Sequence, residues 1–148
     1  MAGLGWDEVA ARFAAAANWW VATSGPAGPH AVPVWGVVVD DVLHFYGDPN
    51  AVRSQNLAAD PRVALHLESG SDVLLVHGEA VALGPAGGVD AVNAAYAAKY
   101  AAPDDAQYLP DAPLNDASLL YGVRPERALA WSLGGEDSMR MRRWAPGG

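Results

Sequence analysis

The sequence predicts a mainly β protein: a small antiparallel barrel of six to eight strands with short flanking helices. Short apolar runs recur along the 148 residues, each bounded by Gly, Pro, Asn or Asp, the pattern of strands joined by turns. Helical periodicity is confined to a few segments lying between those runs. No internal repeat or low-complexity linker divides the chain, so residues 1–148 read as one domain.

Taken in order, Trp6–Ala17 is rich in Ala and places Trp6, Val9, Ala10, Phe13 and Ala17 on one stripe, which predicts an N-terminal helix within residues 1–17. Asn18–Thr23 reads as a strand ending in the turn SGPAGP. His30–Val39 reads as one long strand, with Pro33 marking an edge or bulged position. Asp40-Asp41 turns tightly into Val42–Tyr46, and these three strands are expected to form a meander.

The stretch HFYGDPNAVRSQNLAADPRV (His44–Val63) then gives a strand end, a turn, a short helix with one inward-facing arginine, and the start of another strand. Arg62–Glu68 and Val73–Leu83 follow as strands around the turn Ser69–Asp72, and Gly84–Gly88 is a loop. Asp90–Ala101 is the next helix, with Asp90 expected as its N-cap. Pro103–Pro113, with three prolines and three aspartates, is the candidate flexible loop or lid. Leu119–Val123, Arg127–Leu133 and Met139–Trp144 are read as short closing strands, with Gly134-Gly135 turning the last hairpin.

Composition excludes several kinds of function. The absence of cysteine removes disulfides, thiolate metal sites and thiol nucleophiles. None of the four histidines pairs with another at a helical metal-ligand spacing, so no metal site is expected. A net charge of -8 with nine Lys plus Arg argues against a nucleic-acid partner. No apolar run approaches the ~20 residues of a membrane helix, and the N-terminus lacks the basic and apolar regions of a signal peptide. A cytoplasmic protein without membrane contact is the expectation. G-x-S-x-G and P-loop patterns are absent, hydrolytic chemistry has no support, and no residue is singled out as catalytic.

What remains is a cofactor site. Arg53 stands in the first turn of its helix, where free backbone N–H groups and the helix dipole favour an anion. It reads equally as a phosphate ligand or as a surface arginine paired with Asp48 or Asp60. Asp60-Pro61-Arg62 reads as a helix stop, with Arg62 reaching the last carbonyls. Trp35, beside Pro33 and Val34, offers a flat wall for a ring, or is core. His30 begins a strand where it can meet a ligand or only solvent. His66 and His77 read as polar faces of strands. Arg140 and Arg142 are expected on one strand face, with Arg143 and Trp144 beside them.

The ordered segments WVATSGPAGPHAVPVW, LHFYGDPNAVRSQNLAADPRVALHL, VLLVHGEAVAL and RPERALAW with the terminal RRW resemble the pyridoxamine 5'-phosphate oxidase-like split β-barrels, and within them the B branch of the flavin/deazaflavin-dependent oxidoreductases. The resemblance covers Trp20–Leu83 and Arg124–Trp144. It implies an antiparallel split barrel that forms a homodimer, with cofactor sites between subunits for coenzyme F-420 (a deazaflavin) or FMN. The ring would lie along His30, Val32, Pro33, Val34 and Trp35. The phosphate would lie near Tyr46, Gly47, Arg53 and Asn56, with Arg143 and Trp144 completing the site.

In that family the helix usually begins Ser-Arg-Lys-Ala. Here Ala51, Val52, Arg53 and Ser54 keep only the lysine position charged, and Gly47 stands where Thr often follows Tyr. The substrate-binding elements at the C-terminus of the vitamin-forming oxidases are missing. The reading is therefore an oxidoreductase moving a hydride between the cofactor and a small organic substrate. A non-catalytic flavin, haem or tetrapyrrole carrier on the same barrel is the alternative, and a structural protein without cofactor is a third. For a deazaflavin's acidic tail, Arg140, Arg142 and Arg143 are the expected basic track across the dimer.

Overall fold

Alternate residues are buried along Trp19–Thr23, Arg62–His66 and Asp72–Ala80, as a half-covered sheet requires. The computed structural model describes residues 3–147. Its elements are α1 (Trp6–Ala15), β1 (Trp19–Gly25), β2 (Gly28–Val34), β3 (Val37–Val39), β4 (Val42–Gly47), α2 (Val52–Ala59), β5 (Arg62–His66), β6 (Asp72–Pro85), α3 (Asp90–Lys99), β7 (Leu119–Ser132) and β8 (Arg142–Trp144). Eight antiparallel strands form one sheet in the order β2-β1-β5-β6-β7-β4-β3, with β8 added to β7. The sheet does not close: β2, β3 and β8 each pair with one neighbour only. Phe13 of α1 packs edge-on against Trp19 at 5.2 Å and joins it in the core with Val21, Leu43, Phe45, Leu65, Val76 and Val123.

Pro33 lies on an edge strand, where its missing N–H breaks no ladder. The expected meander is corrected. His30–Val39 is not one strand: it breaks at Trp35-Gly36, and β2 and β3 sit at opposite edges of the sheet. The break is held by side chains from α3. The Tyr96 hydroxyl donates to the Trp35 carbonyl at 3.0 Å, Lys99 Nζ to the Gly36 carbonyl at 2.6 Å, and the Gly36 N–H donates to the Tyr100 hydroxyl at 3.0 Å. Gly36 lies flush on the Trp19 ring, with no room for a Cβ. At Asp40 and Asp41 φ is 51° and 62°, as a two-residue primed hairpin turn demands.

Four further expectations change. Leu119–Val123 and Arg127–Leu133 are parts of one 14-residue strand; a bulge opposite His77/Gly78 leaves Glu126 unpaired, next to Pro125, which stays opposite Gly78. The final strand begins at Arg142, because Met139 has a φ of 64° and Arg140 closes a turn onto Asp137. Val89 rather than Asp90 is the N-cap of α3, and Asp90 lies in its first turn. Pro103–Tyr108 and Pro113–Asn115 form 3-10 turns tied together by Asn115, whose amide donates to the Tyr108 and Leu109 carbonyls. No helix among the described residues is long and apolar enough to cross a membrane.

Candidate cofactor site

The turn before α2 is built by Asp48. Its carboxylate accepts the Asn50 N–H at 2.8 Å, and its carbonyl accepts the Ser54 hydroxyl at 2.7 Å. Ala51 is the N-cap and supplies no side-chain cap, and the first turn holds no acidic residue. The positive end of this helix is therefore uncompensated. On its inner side Leu57 packs into the core, while Asn56 donates to Thr23 Oγ1 at 3.1 Å. Asn56 is thus turned into the β1–β2 hairpin, seated where Gly25 leaves space for it.

Arg53 reaches the other way, toward β4. Its Cζ lies 5.9 Å from the Phe45 ring centroid, and Nη2 is 3.5 Å from the Tyr46 carbonyl. The guanidinium lies against Gly47, and its Nε is buried without a partner. Neither Asp48 nor Asp60 pairs with it: Asp60 binds Arg62 at 2.7 Å, and no carboxylate lies within 4.0 Å of Arg53 among the described residues. Arg62 correspondingly takes the Asp60 carboxylate and not the helix carbonyls. Burial pushes the Arg53 guanidinium below its ordinary pKa. A half-buried cation with an orphaned donor, beside an uncapped helix start, fits a phosphate.

Tyr46 stands beside it, its ring edge-on to Tyr96 at 5.2 Å and its hydroxyl donating to the Tyr108 carbonyl. Burial and then the nearby Tyr100 push its pKa up to about 12, so the phenol stays protonated. Trp35 stacks on Tyr100 at 4.2 Å and 5°, so one of its faces is already covered. Along β2, His30, Val32 and Val34 share the face that pairs with Thr23, Val21 and Trp19, while Pro33 points the opposite way.

Arg143 and Trp144 do not join this group within one chain. Gly47 pairs with Leu119 at one end of β7, and Trp144 pairs with Ala128 further along it. At about 3.3 Å per residue the two places are roughly 30 Å apart. Trp144 stacks on Trp6 at 5.0 Å, and Arg143 lines a 610 Å³ cavity with Arg127 and Leu129. The expected basic track is reduced. Arg142 makes a two-pronged pair with Glu8 at 2.9 and 2.8 Å, and Arg140 lies 3.8 Å from Asp137.

Sequence reasoning missed the α3 face. Tyr96, Lys99 and Tyr100 are spaced to share one side of a helix, and that spacing was the available signal. Lys99 Nζ also lies 5.2 Å from the Trp19 ring centroid, and burial pushes its pKa down to about 8.

An open antiparallel sheet of eight strands with short flanking helices defines a split barrel, and among its described residues Arg53 stands at an uncapped helix start without a carboxylate. The sequence profile of pyridoxamine 5'-phosphate oxidase matches residues 6–132, and the chain belongs to that family. No curated protein matches it. Among solved structures it is similar to a conserved hypothetical protein of Mycobacterium tuberculosis (TM-score 0.69, 21% identity, 91% of this chain and 95% of that one). It is also similar to an F420 reductase (TM-score 0.60, 23% identity, 79% and 93%). A heme-binding protein of Mycobacterium smegmatis gives TM-score 0.66 at 24% identity, covering 98% of this chain and 60% of that one.

Proposed function

We propose that this protein is an oxidoreductase that binds coenzyme F-420 or FMN and moves a hydride between it and a small organic substrate. The observation that carries this reading is Arg53, half-buried, without a carboxylate among the described residues and with an orphaned Nε. The cofactor supplies the hydride chemistry. The chain's own residues hold the phosphate (Arg53 and the α2 N-terminus) and flank the ring (His30–Trp35, Tyr46). The charge balance favours the deazaflavin: its phosphodiester carries a single charge and matches one guanidinium, whereas a phosphate monoester carries about -1.5 to -2.

Completing the site takes a second copy, since Arg143 and Trp144 lie far from Arg53 in one chain. The outward face bearing Trp20, Ala22, Ala64, Leu75, Leu129 and Trp131, half-buried and interspersed with His66, His77 and Arg127, is the surface for it. In such a dimer Arg143 and Arg127 of one copy face the acidic tail bound by the other. A carrier without turnover is the second reading, favoured by the single remaining cation at the phosphate end.

Fluorescence-quenching titration with FMN and with the deazaflavin decides the first point. Binding of at least one well below about 1 mM is expected; binding of neither rejects the proposal. Reduction of an enone or quinone by the loaded protein separates enzyme from carrier.

A further inference from the structure

Gly47 is buried within β4, and its backbone does not take the positive φ that would call for glycine. As the last residue of β4 it still pairs with Leu119 and gives up the side-chain packing that its buried place offers. Space is the reason for the glycine. A Cβ at position 47 would overlap Arg53 Nη2 and would come within 2.8 Å of Cζ and 3.4 Å of Nε. The plane of the guanidinium occupies the volume that any other side chain would fill.

We infer that Gly47 is a positioning residue: its missing side chain is the slot that seats the Arg53 guanidinium against Phe45 and the Tyr46 carbonyl. The slot suits a flat, wide cation. A lysine ammonium on an unbranched stem has no need of it, so Gly47 and Arg53 form one unit. With a methyl group at 47, the guanidinium is displaced from β4 and its donors no longer converge on one place. This inference rests on the reading of Arg53 as the phosphate ligand, and the test keeps the two separable.

The test follows the Arg53 Nε–Hε resonance in ¹⁵N-labelled protein, together with affinities for FMN and riboflavin, which differ only in the phosphate. The variants are Gly47→Ala alone and in Arg53→Lys and Arg53→Ala backgrounds. Gly47→Ala is expected to shift the Nε resonance and weaken FMN about tenfold or more, the loss of one charged hydrogen bond, while riboflavin binding stays unchanged. In either Arg53 background, Gly47→Ala changes FMN affinity by less than about twofold.

An unmoved resonance with unchanged FMN affinity in Gly47→Ala overturns the inference, as does an equal loss in the Arg53→Ala background. If Gly47→Ala does not fold, the slot predicts that Gly47→Ala with Arg53→Ala does; an unfolded double variant contradicts it. If the unaltered protein prefers neither FMN to riboflavin nor coenzyme F-420 to its phosphate-free riboside, the phosphate reading fails, and the resonance alone decides the slot.

Discussion

Arg53 sits where its charge is least welcome: half-buried, beside the positive end of α2, and with no carboxylate partner among the described residues. A bound phosphate relieves each of these penalties at once. Arg53→Ala is therefore expected to weaken a phosphorylated cofactor by about tenfold to a hundredfold, corresponding to roughly 1.5–3 kcal/mol for a charged hydrogen bond. The same change should leave or slightly raise thermal stability, because a desolvated, unpaired cation is removed; a melting scan checks this. Gly36 gives the opposite case. Its Cα faces the Trp19 ring, itself fully buried, so Gly36→Ala overpacks the core at a cost of about 1–3 kcal/mol, read as a lower urea midpoint. Arg53 was legible as a candidate from its place in a helix start. That it lacks an acidic partner was not, since Asp48 and Asp60 are near in sequence and only the fold shows Asp60 taken by Arg62.

α3 holds the break between β2 and β3 with three side chains, and each leaves a signature in the pH dependence of stability. Burial raises Tyr46 and Tyr100 to about 12 and raises Tyr96 as well. The folded protein thus keeps these protons between pH ~10 and ~12 where the unfolded chain loses them, and stability falls through that window. Lys99 acts in the other direction. Its folded pKa of about 8 lies below the ordinary 10.5, the unfolded chain binds the extra proton between them, and stability rises with pH from 8 to 10.5. Lys99→Met is expected to flatten that rise in chemical denaturation curves measured across the range, while the fall above pH ~10 remains.

Individual strands and all three helices could be read from the sequence because alternation and periodicity are local. The division of His30–Val39 could not, because its cause is a set of hydrogen bonds from residues more than 60 positions away. The merging of the last strands was hidden for a similar reason: the bulge at Glu126, next to Pro125, belongs to the pairing with β6.

On the proposed dimeric reading, the sheet face bearing Trp20 and Leu75 meets a second copy, and the two parts of the proposed site lie at separate places along β7. A dimer of about twice 15.4 kDa by light scattering is the expected state. In that dimer each site joins Arg53 of one copy to Arg143 of the other. Co-refolded Arg53→Ala and Arg143→Ala chains should then regain one tight site per mixed dimer, although each variant alone has none. A stoichiometry that never rises above that of the separate variants places both residues outside a shared site.

The central claim, that Arg53 anchors a cofactor phosphate, is tested most directly by comparing affinities for a cofactor with and without its phosphate (FMN against riboflavin, or coenzyme F-420 against its phosphate-free riboside) in the unaltered protein and in Arg53→Ala. The unaltered protein is expected to prefer the phosphorylated form by about tenfold or more, and Arg53→Ala to abolish the preference. Equal affinities in the unaltered protein, or a preference that survives Arg53→Ala, would contradict that anchoring role.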